Sequence, residues 1–278
     1  MHSQMSLYIT SLNSGSNGNC YYIGNNTEAV LVDAGLSCKE IEKRMEFLGL
    51  SMNIVKAIFI SHEHTDHIKG VTTLANKYSL KVYITDETAK RGPRLIKHLS
   101  ENFTAHEPVI IGNLSITAFP KFHDAADPHS FIITGNKITI GVFTDIGNPC
   151  AQLAKYLSLC HAAFLEANYD EEMLENGRYP YVLKKRIRGG EGHLSNAQAL
   201  EVFVKHRSSF MTHLLLSHLS KDNNSPDLVK DLFTKNASGV NIIVASRYEA
   251  TPVYLIESPF SIKSKQPVSL LPKQMQLF

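Results

Sequence analysis

Runs rich in β-branched and aromatic residues recur at 7–12, 20–23, 29–32, 57–60, 81–84, 114–119, 129–133, 137–143, 162–165, 213–217, 240–244 and 252–256, and each predicts a strand. Apolar residues spaced three and four apart predict helices over 38–48, 69–77, 88–98, 149–157, 195–205 and 226–233. The early strands read as a meander with glycine turns, and later strands and helices alternate. That order predicts an α/β fold of two packed mixed sheets with helices on the outside. No internal repeat or linker divides the chain, so residues 1–260 are expected to form one domain. Residues 261–278 are polar with prolines, a composition with little to pack, and are expected to form a mobile tail. The stretch 169–192, "YDEEMLENGRYPYVLKKRIRGGEG", runs from acidic to basic, ends in glycines and reads as irregular.

Composition narrows the class without choosing a partner. Hydrophobic residues make up 43% of the 278 positions and charged residues 19%, as in a soluble globular protein. Lys plus Arg (28) nearly balances Asp plus Glu (26), so any basic surface must be local. Cys20, Cys38, Cys150 and Cys160 form no paired spacing, which argues against a zinc ribbon or a disulfide framework. The opening "MHSQMSLYIT" lacks the basic and apolar regions of a signal peptide. No apolar run approaches the roughly 20 residues that span a bilayer. A cytoplasmic protein with reduced thiols, making no membrane contact, is the expectation.

The chemistry concentrates in His62, His64, Asp66 and His67 of "ISHEHTDH", between a predicted strand and a predicted helix. His62 and His64 are two apart and share a side of extended backbone. Asp66 and His67 follow the turn and can face another point. Four candidate donors within six residues, with more elsewhere in the chain, exceed what one tetrahedral ion needs. Further candidates end other strands: Asp33 in "LVDAG", His123 in "KFHDAADP", Asp145 in "VFTDIG" and His218 in "LLLSHLS". His193 in "GGEGHLSNAQ" precedes a helix whose Ser195 and Gln198 predict a capping box. His123 competes with His129, and His218 with His213; position at a strand end favours the first of each pair. His98, His161 and His206 have no such setting.

With those residues in order, "HEHTDH" matches the HxHxDH motif of the metallo-β-lactamase-fold hydrolases. "SLNSGSNGNCYYI", "KFHDAADP", "FLEANYD", "GHLSNAQAL" and "LLLSHLSKDNN" resemble specifically the YycJ/WalJ (VicX) type, related to tRNase Z and the PhnP-like phosphodiesterases. The resemblance implies a four-layer αββα sandwich and two divalent metal ions, Zn²⁺, Mn²⁺ or Fe²⁺. It implies that His62, His64 and His123 hold the first ion, that Asp66, His67 and His218 hold the second, and that Asp145 bridges both. Asp33 is then a support for the ligand loops. Two ions about 3.5–4 Å apart share a hydroxide and clamp an in-line displacement. Asp66 orients that hydroxide, His193 serves as general acid or oxyanion stabiliser, and Glu166 orients His193.

The same resemblance implies a metal-dependent phosphodiesterase acting as a DNA exonuclease. A small-molecule (cyclic) phosphodiesterase, or a carbonyl-directed thioesterase or lactamase, uses the same metals and remains the alternative. Lys184, Lys185, Arg186 and Arg188 of "VLKKRIR" stand just before His193, either as a phosphate-contacting loop or as a solvated one. The terminal Gln274-Met275-Gln276-Leu277-Phe278 resembles the peptides by which bacterial DNA enzymes dock onto the sliding clamp, with Met275 departing from the usual Leu.

Overall fold

The computed structural model of the protein describes residues 6–95 and 97–258. Its first half comprises β1 (Ser6–Asn13), β2 (Cys20–Gly24), β3 (Ala29–Val32), α1 (Cys38–Phe47), β4 (Val55–Phe59), α2 (Thr65–Ile68), α3 (Val71–Tyr78), β5 (Lys81–Tyr83), α4 (Asp86–Arg91), β6 (Ser100–Glu101), β7 (Pro108–Ile111) and β8 (Leu114–Pro120). The second half continues with β9 (His129–Gly135), β10 (Ile138–Phe143), α5 (Ala151–Leu157), β11 (Ala162–Glu166), α6 (Glu171–Asn176), α7 (Tyr181–Arg188), α8 (Asn196–His206), β12 (His213–Ser217), α9 (Pro226–Thr234), β13 (Asn241–Val244) and β14 (Tyr254–Glu257). Among the described residues these strands make two mixed seven-stranded sheets, ordered β14-β1-β2-β3-β4-β5-β6 and β13-β12-β11-β10-β9-β8-β7.

The apolar runs explain the layering. In β3, Val30 and Val32 face the core between the sheets, whereas Ala29 and Leu31 join the core beneath the helices. In β11, Ala162 and Phe164 point inward, and Ala163 and Leu165 pack outward. Two-residue periodicity with both faces apolar means that both faces of the sheet are covered. One outer core holds Ile41 and Met45 of α1 with Leu74 and Ala75 of α3. The other holds Leu153 and Leu157 of α5, Phe203 of α8 and Phe233 of α9. The result is the four-layer αββα sandwich.

Parallel pairing sets where the chemistry collects. β3, β4, β5 and β6 pair in parallel, as do β10, β11, β12 and β13. Their carboxyl ends therefore open along one edge, where strand-to-helix loops can converge. At the far end the sheets are tied by Glu28, whose Oε1 accepts from Asn25 Nδ2 (2.7 Å) and from the Asn113 backbone N–H (2.9 Å) in the β7–β8 turn.

Two expectations need correction. The helix predicted over 88–98 is α4, capped by Thr85 and ended at Gly92. Pro93 follows, and the residue before a proline is driven from helical backbone. The stretch 169–192 is not irregular, because it contains α6, capped by Asp170, and α7, entered through Pro180. α7 has no buried residue, so it lacks the apolar stripe by which a helix is recognised in sequence.

Candidate metal centre

Each of the seven expected ligands and His193 reaches the strand-end edge, and the backbone is bent to put them there. Asp33, Asp145 and His218 leave β3, β10 and β12 with φ of 61°, 54° and 56°. Left-handed backbone is uncommon in residues other than glycine, and such geometry concentrates at functional sites. Gly35 lets the next loop close: a Cβ there would lie 1.7 Å from the Asp66 carbonyl oxygen. Ala34 N–H donates to the His67 carbonyl and Asn19 N–H to that of Asp66, stitching three loops into one rim.

The histidine tautomers follow from a chain of hydrogen bonds. Ser61 Oγ donates its single proton to Asp33 Oδ2 at 2.8 Å, so it accepts from His62 Nδ1 at 2.8 Å. His67 Nδ1 donates to Asp33 Oδ2 at 2.7 Å. His123 Nδ1 donates to the Gly192 carbonyl at 3.1 Å, and His218 Nδ1 to Glu166 Oε1 at 3.2 Å. In the neutral form of each of these four rings the inner nitrogen, Nε2, is the one bearing a lone pair, the arrangement a metal ligand requires.

Those nitrogens form two groups. His62 Nε2 and His123 Nε2 lie 3.1 and 3.3 Å from His64 Nδ1. Three ring nitrogens meeting head to head cannot satisfy one another with protons alone, whereas a cation satisfies all three. In the second group His67 Nε2 and His218 Nε2 each stand 3.5 Å from Asp66 Oδ2. Asp145 lies between the groups, with Oδ2 3.2 Å from His67 Nε2, and Oδ1 3.5 Å from His218 Nε2 and 3.9 Å from His123 Nε2. Asp145 Oδ2 and His218 Nε2 are buried and have no hydrogen-bond partner among the described residues. The donor set fits divalent cations, and the His/Asp cluster is able to bind metal ions.

Electrostatics agree with that geometry. Burial alone disfavours charge on every group here, yet Asp145, Asp33 and Asp66 hold His67 well above the usual imidazole range. Burial likewise depresses His218, but Asp145, Asp66 and Glu166 outweigh it and push it up to about 10. Burial, and after it the positive charge of His67 and Lys121, instead presses His62 well below that range. The carboxylate-rich half therefore attracts positive charge, and the histidine-rich half offers neutral nitrogens.

His193 adjoins the ligands, its ring stacked on that of His218 and its Nδ1 3.8 Å from Asp145 Oδ1, so that Asp145, Glu166, His193 and His218 form a further close group. Its Nδ1 lies 2.8 Å from Glu166 Oε1, and its Nε2 makes no hydrogen bond among the described residues. Glu166 is fully buried, with Oε2 accepting from the backbone N–H groups of Ile146 (2.8 Å) and Leu194 (3.1 Å). Burial raises its pKa, but His193 and His218 overcome this and bring it down to about 2.

Sequence reasoning passed over three contributors. Asn19 Nδ2 donates to Asp66 Oδ2 (3.1 Å) and also faces His67 Nε2 (3.1 Å). Asn168 Nδ2 donates to the His218 carbonyl (2.7 Å), fixing the left-handed turn. Lys121, buried behind the site, donates to the Thr144 carbonyl at 2.7 Å. Asn19 and Asn168 lie in "SGSNGN" and "FLEAN", blocks whose resemblance to the family marks the segment without singling out either asparagine. The competing histidines lie elsewhere: His129 Nδ1 bonds to the Asp127 carbonyl, and the His213 ring packs on Tyr254.

The basic segment is helical and mostly engaged. Arg186 Nε bonds to Asp124 Oδ2 at 2.5 Å, Arg188 pairs with Glu175, and Lys184 Nζ donates to the Glu175 carbonyl. Lys185 makes no such contact among the described residues, and Tyr181 and Val182 are exposed beside it.

A model of the Beta-lactamase superfamily domain matches residues 28–218. The chain is 35% identical over 230 residues to Exodeoxyribonuclease YycJ of Bacillus anthracis, covering 81% of this chain and 87% of that one. It is 32% identical over 232 residues to Exodeoxyribonuclease WalJ of Streptococcus pneumoniae, covering 81% and 86%. Among solved structures, the metallo-beta-lactamase fold protein YhfI from Bacillus subtilis aligns with a TM-score of 0.69 at 16% identity, covering 90% of this chain and 99% of that one. At that identity the likeness is one of fold.

Proposed function

Since the chain belongs to the beta-lactamase superfamily, and within it to the family of the YycJ and WalJ exodeoxyribonucleases, we propose that it is a metal-dependent DNA exonuclease. The observation that carries this reading is the pairing of two donor groups around Asp145 with an adjoining Glu166–His193 pair. His62, His64 and His123 would hold one divalent ion, Asp66, His67 and His218 a second, with Asp145 shared. Bound there, Zn²⁺, Mn²⁺ or Fe²⁺ would polarise phosphoryl oxygens and make hydroxide available near neutral pH. Asp66 offers its remaining carboxylate oxygen to orient the attacking group. Glu166 fixes His193 through Nδ1, so Nε2 is free to donate to the phosphate or to the leaving oxygen.

Residues 1–260 would form the catalytic unit. Residues 261–278 lie outside the described residues, and with them the pentapeptide Gln274 to Phe278, which we read as a tether to a sliding clamp. A pull-down comparing the full chain with one ending at Lys273 tests that tether. Among the described residues no helix is long and apolar enough to cross a membrane.

The substrate class is tested by incubating Mn²⁺- or Zn²⁺-loaded protein with end-labelled double- and single-stranded DNA, RNA and a chromogenic phosphodiester. Stepwise shortening of DNA from an end supports the proposal. Turnover of the small diester alone would instead favour the small-molecule phosphodiesterase.

A further inference from the structure

The glycine-rich "SGSNGN" block, residues 14–19, joins the metal centre to a cavity that the chemistry above does not use. At one end Asn19 reaches Asp66 and His67. At the other, Ser14 Oγ accepts the His218 backbone N–H at 2.7 Å and lines a cavity of about 350 Å³. Ser220, Lys221, Arg247, Tyr248 and Glu249 share its wall. Gly15 and Gly18 take φ of 133° and 153°, so the loop follows a path that side chains rarely permit.

Arg247 is secured to that loop from both directions. Asn17 Nδ2 donates to its carbonyl at 2.7 Å, and its own Nη2 donates to Ser16 Oγ at 3.2 Å. Its Nη1 is shielded from solvent and has no hydrogen-bond partner among the described residues. Unpartnered buried donors are rare, and the planar guanidinium is suited to bidentate contact with phosphate. Lys221 adds a second cation, this one exposed, and Tyr248, 71% exposed, presents a ring at the same wall. The volume lies at the small end of the roughly 300–1,000 Å³ typical of small-ligand sites.

We propose that this cavity is a nucleotide subsite beside the metal centre, binding the phosphate of one terminal nucleotide on Arg247 and Lys221 with its base against Tyr248. Glu249 supplies an acceptor for a sugar or base donor. The subsite deepens the exonuclease reading, on which it rests: a cavity of this size receives one nucleotide rather than a duplex.

The test is isothermal titration of the Mn²⁺-loaded full chain with deoxyadenosine 5′-monophosphate and with deoxyadenosine. The monophosphate is expected to bind about tenfold or more tightly than the nucleoside, and Arg247→Ala to lose about tenfold or more for the monophosphate alone, as expected for a charge-assisted phosphate contact. Arg247→Lys should fall between, and Tyr248→Ala should weaken both ligands. Should Arg247→Ala fail to fold, Lys221→Ala on the exposed rim carries the comparison, with selective weakening of the monophosphate expected. Equal monophosphate affinity in the wild type and the folded variant overturns the subsite, as does a wild type that does not distinguish the two ligands. Digestion of DNA by the wild type is scored separately, so loss of the subsite and loss of the exonuclease reading give different results.

Discussion

Asp33→Asn is the sharpest small perturbation of the site, because it changes one atom's chemistry and little else. Asparagine tolerates the left-handed backbone at this position, where φ is 61°, so the fold should persist. Asp33 is fully buried and accepts from Ser61 N (2.8 Å), Ser61 Oγ (2.8 Å) and His67 Nδ1 (2.7 Å). The amide oxygen can keep the Ser61 backbone bond, which leaves the NH₂ group facing Ser61 Oγ and His67 Nδ1. Nδ1 must then become the acceptor, and its proton moves to Nε2, the nitrogen that faces Asp66 and Asp145. A ring protonated there cannot ligate. Losing one charge-assisted bond of about 1.5–3 kcal/mol corresponds to roughly 10–100-fold weaker metal binding, the range seen when an outer partner of a ligating histidine is removed. Chelator-competition titration should show one class of bound Mn²⁺ weakened by that factor and the class held by His62, His64 and His123 weakened less. Wild-type affinity for both ions in Asp33→Asn would refute the tautomer argument.

Further outcomes follow from the same geometry. His193→Ala should keep its full metal complement but lose on the order of 10²–10⁴ in turnover, the range of general acid–base catalysis; metal analysis beside kinetics checks both, and metal loss would remove His193 from that role. Glu166→Gln should reduce turnover and also loosen metal, since Glu166 contacts both His193 and His218; an effect on neither contradicts its position. Glu28 is a stability probe remote from the chemistry. Burial raises its pKa, but hydrogen bonds from Thr27, Asn25 and Asn113 bring it from 4.5 down to about 2. Its contribution is therefore complete above the unfolded value and lost as pH falls through about 2. Glu28→Gln should lower stability by roughly 2 kcal/mol at neutral pH, with the gap closing toward pH 2 in denaturant melts; a pH-independent gap would show that the charge is irrelevant.

The strand ends were the legible part of this molecule. Apolar runs such as "HLLLS" and "ITIGVF" must be buried on both faces, and an Asp or His just beyond each has nowhere to go but the shared edge. The ligand candidates were visible for that reason. The tautomer network was not, because Ser61, Asn19 and Asn168 are common residues whose value lies in contacts across long sequence separations, as with Asn168 and His218. α7 escaped for the opposite reason: it buries nothing, and its cations are mostly held by Asp124 and Glu175, partners no local pattern announces. That pairing argues against a freely basic loop and, of its four cations, leaves only Lys185 unengaged among the described residues.

The most direct test measures metal content and end-labelled DNA digestion on one preparation, before and after chelation and again after adding Mn²⁺. Two ions per chain, with stepwise release of nucleotides that stops on chelation and returns on reloading, is the predicted result. DNA left intact by protein carrying both ions, or digestion that persists once the metal is gone, would contradict the account.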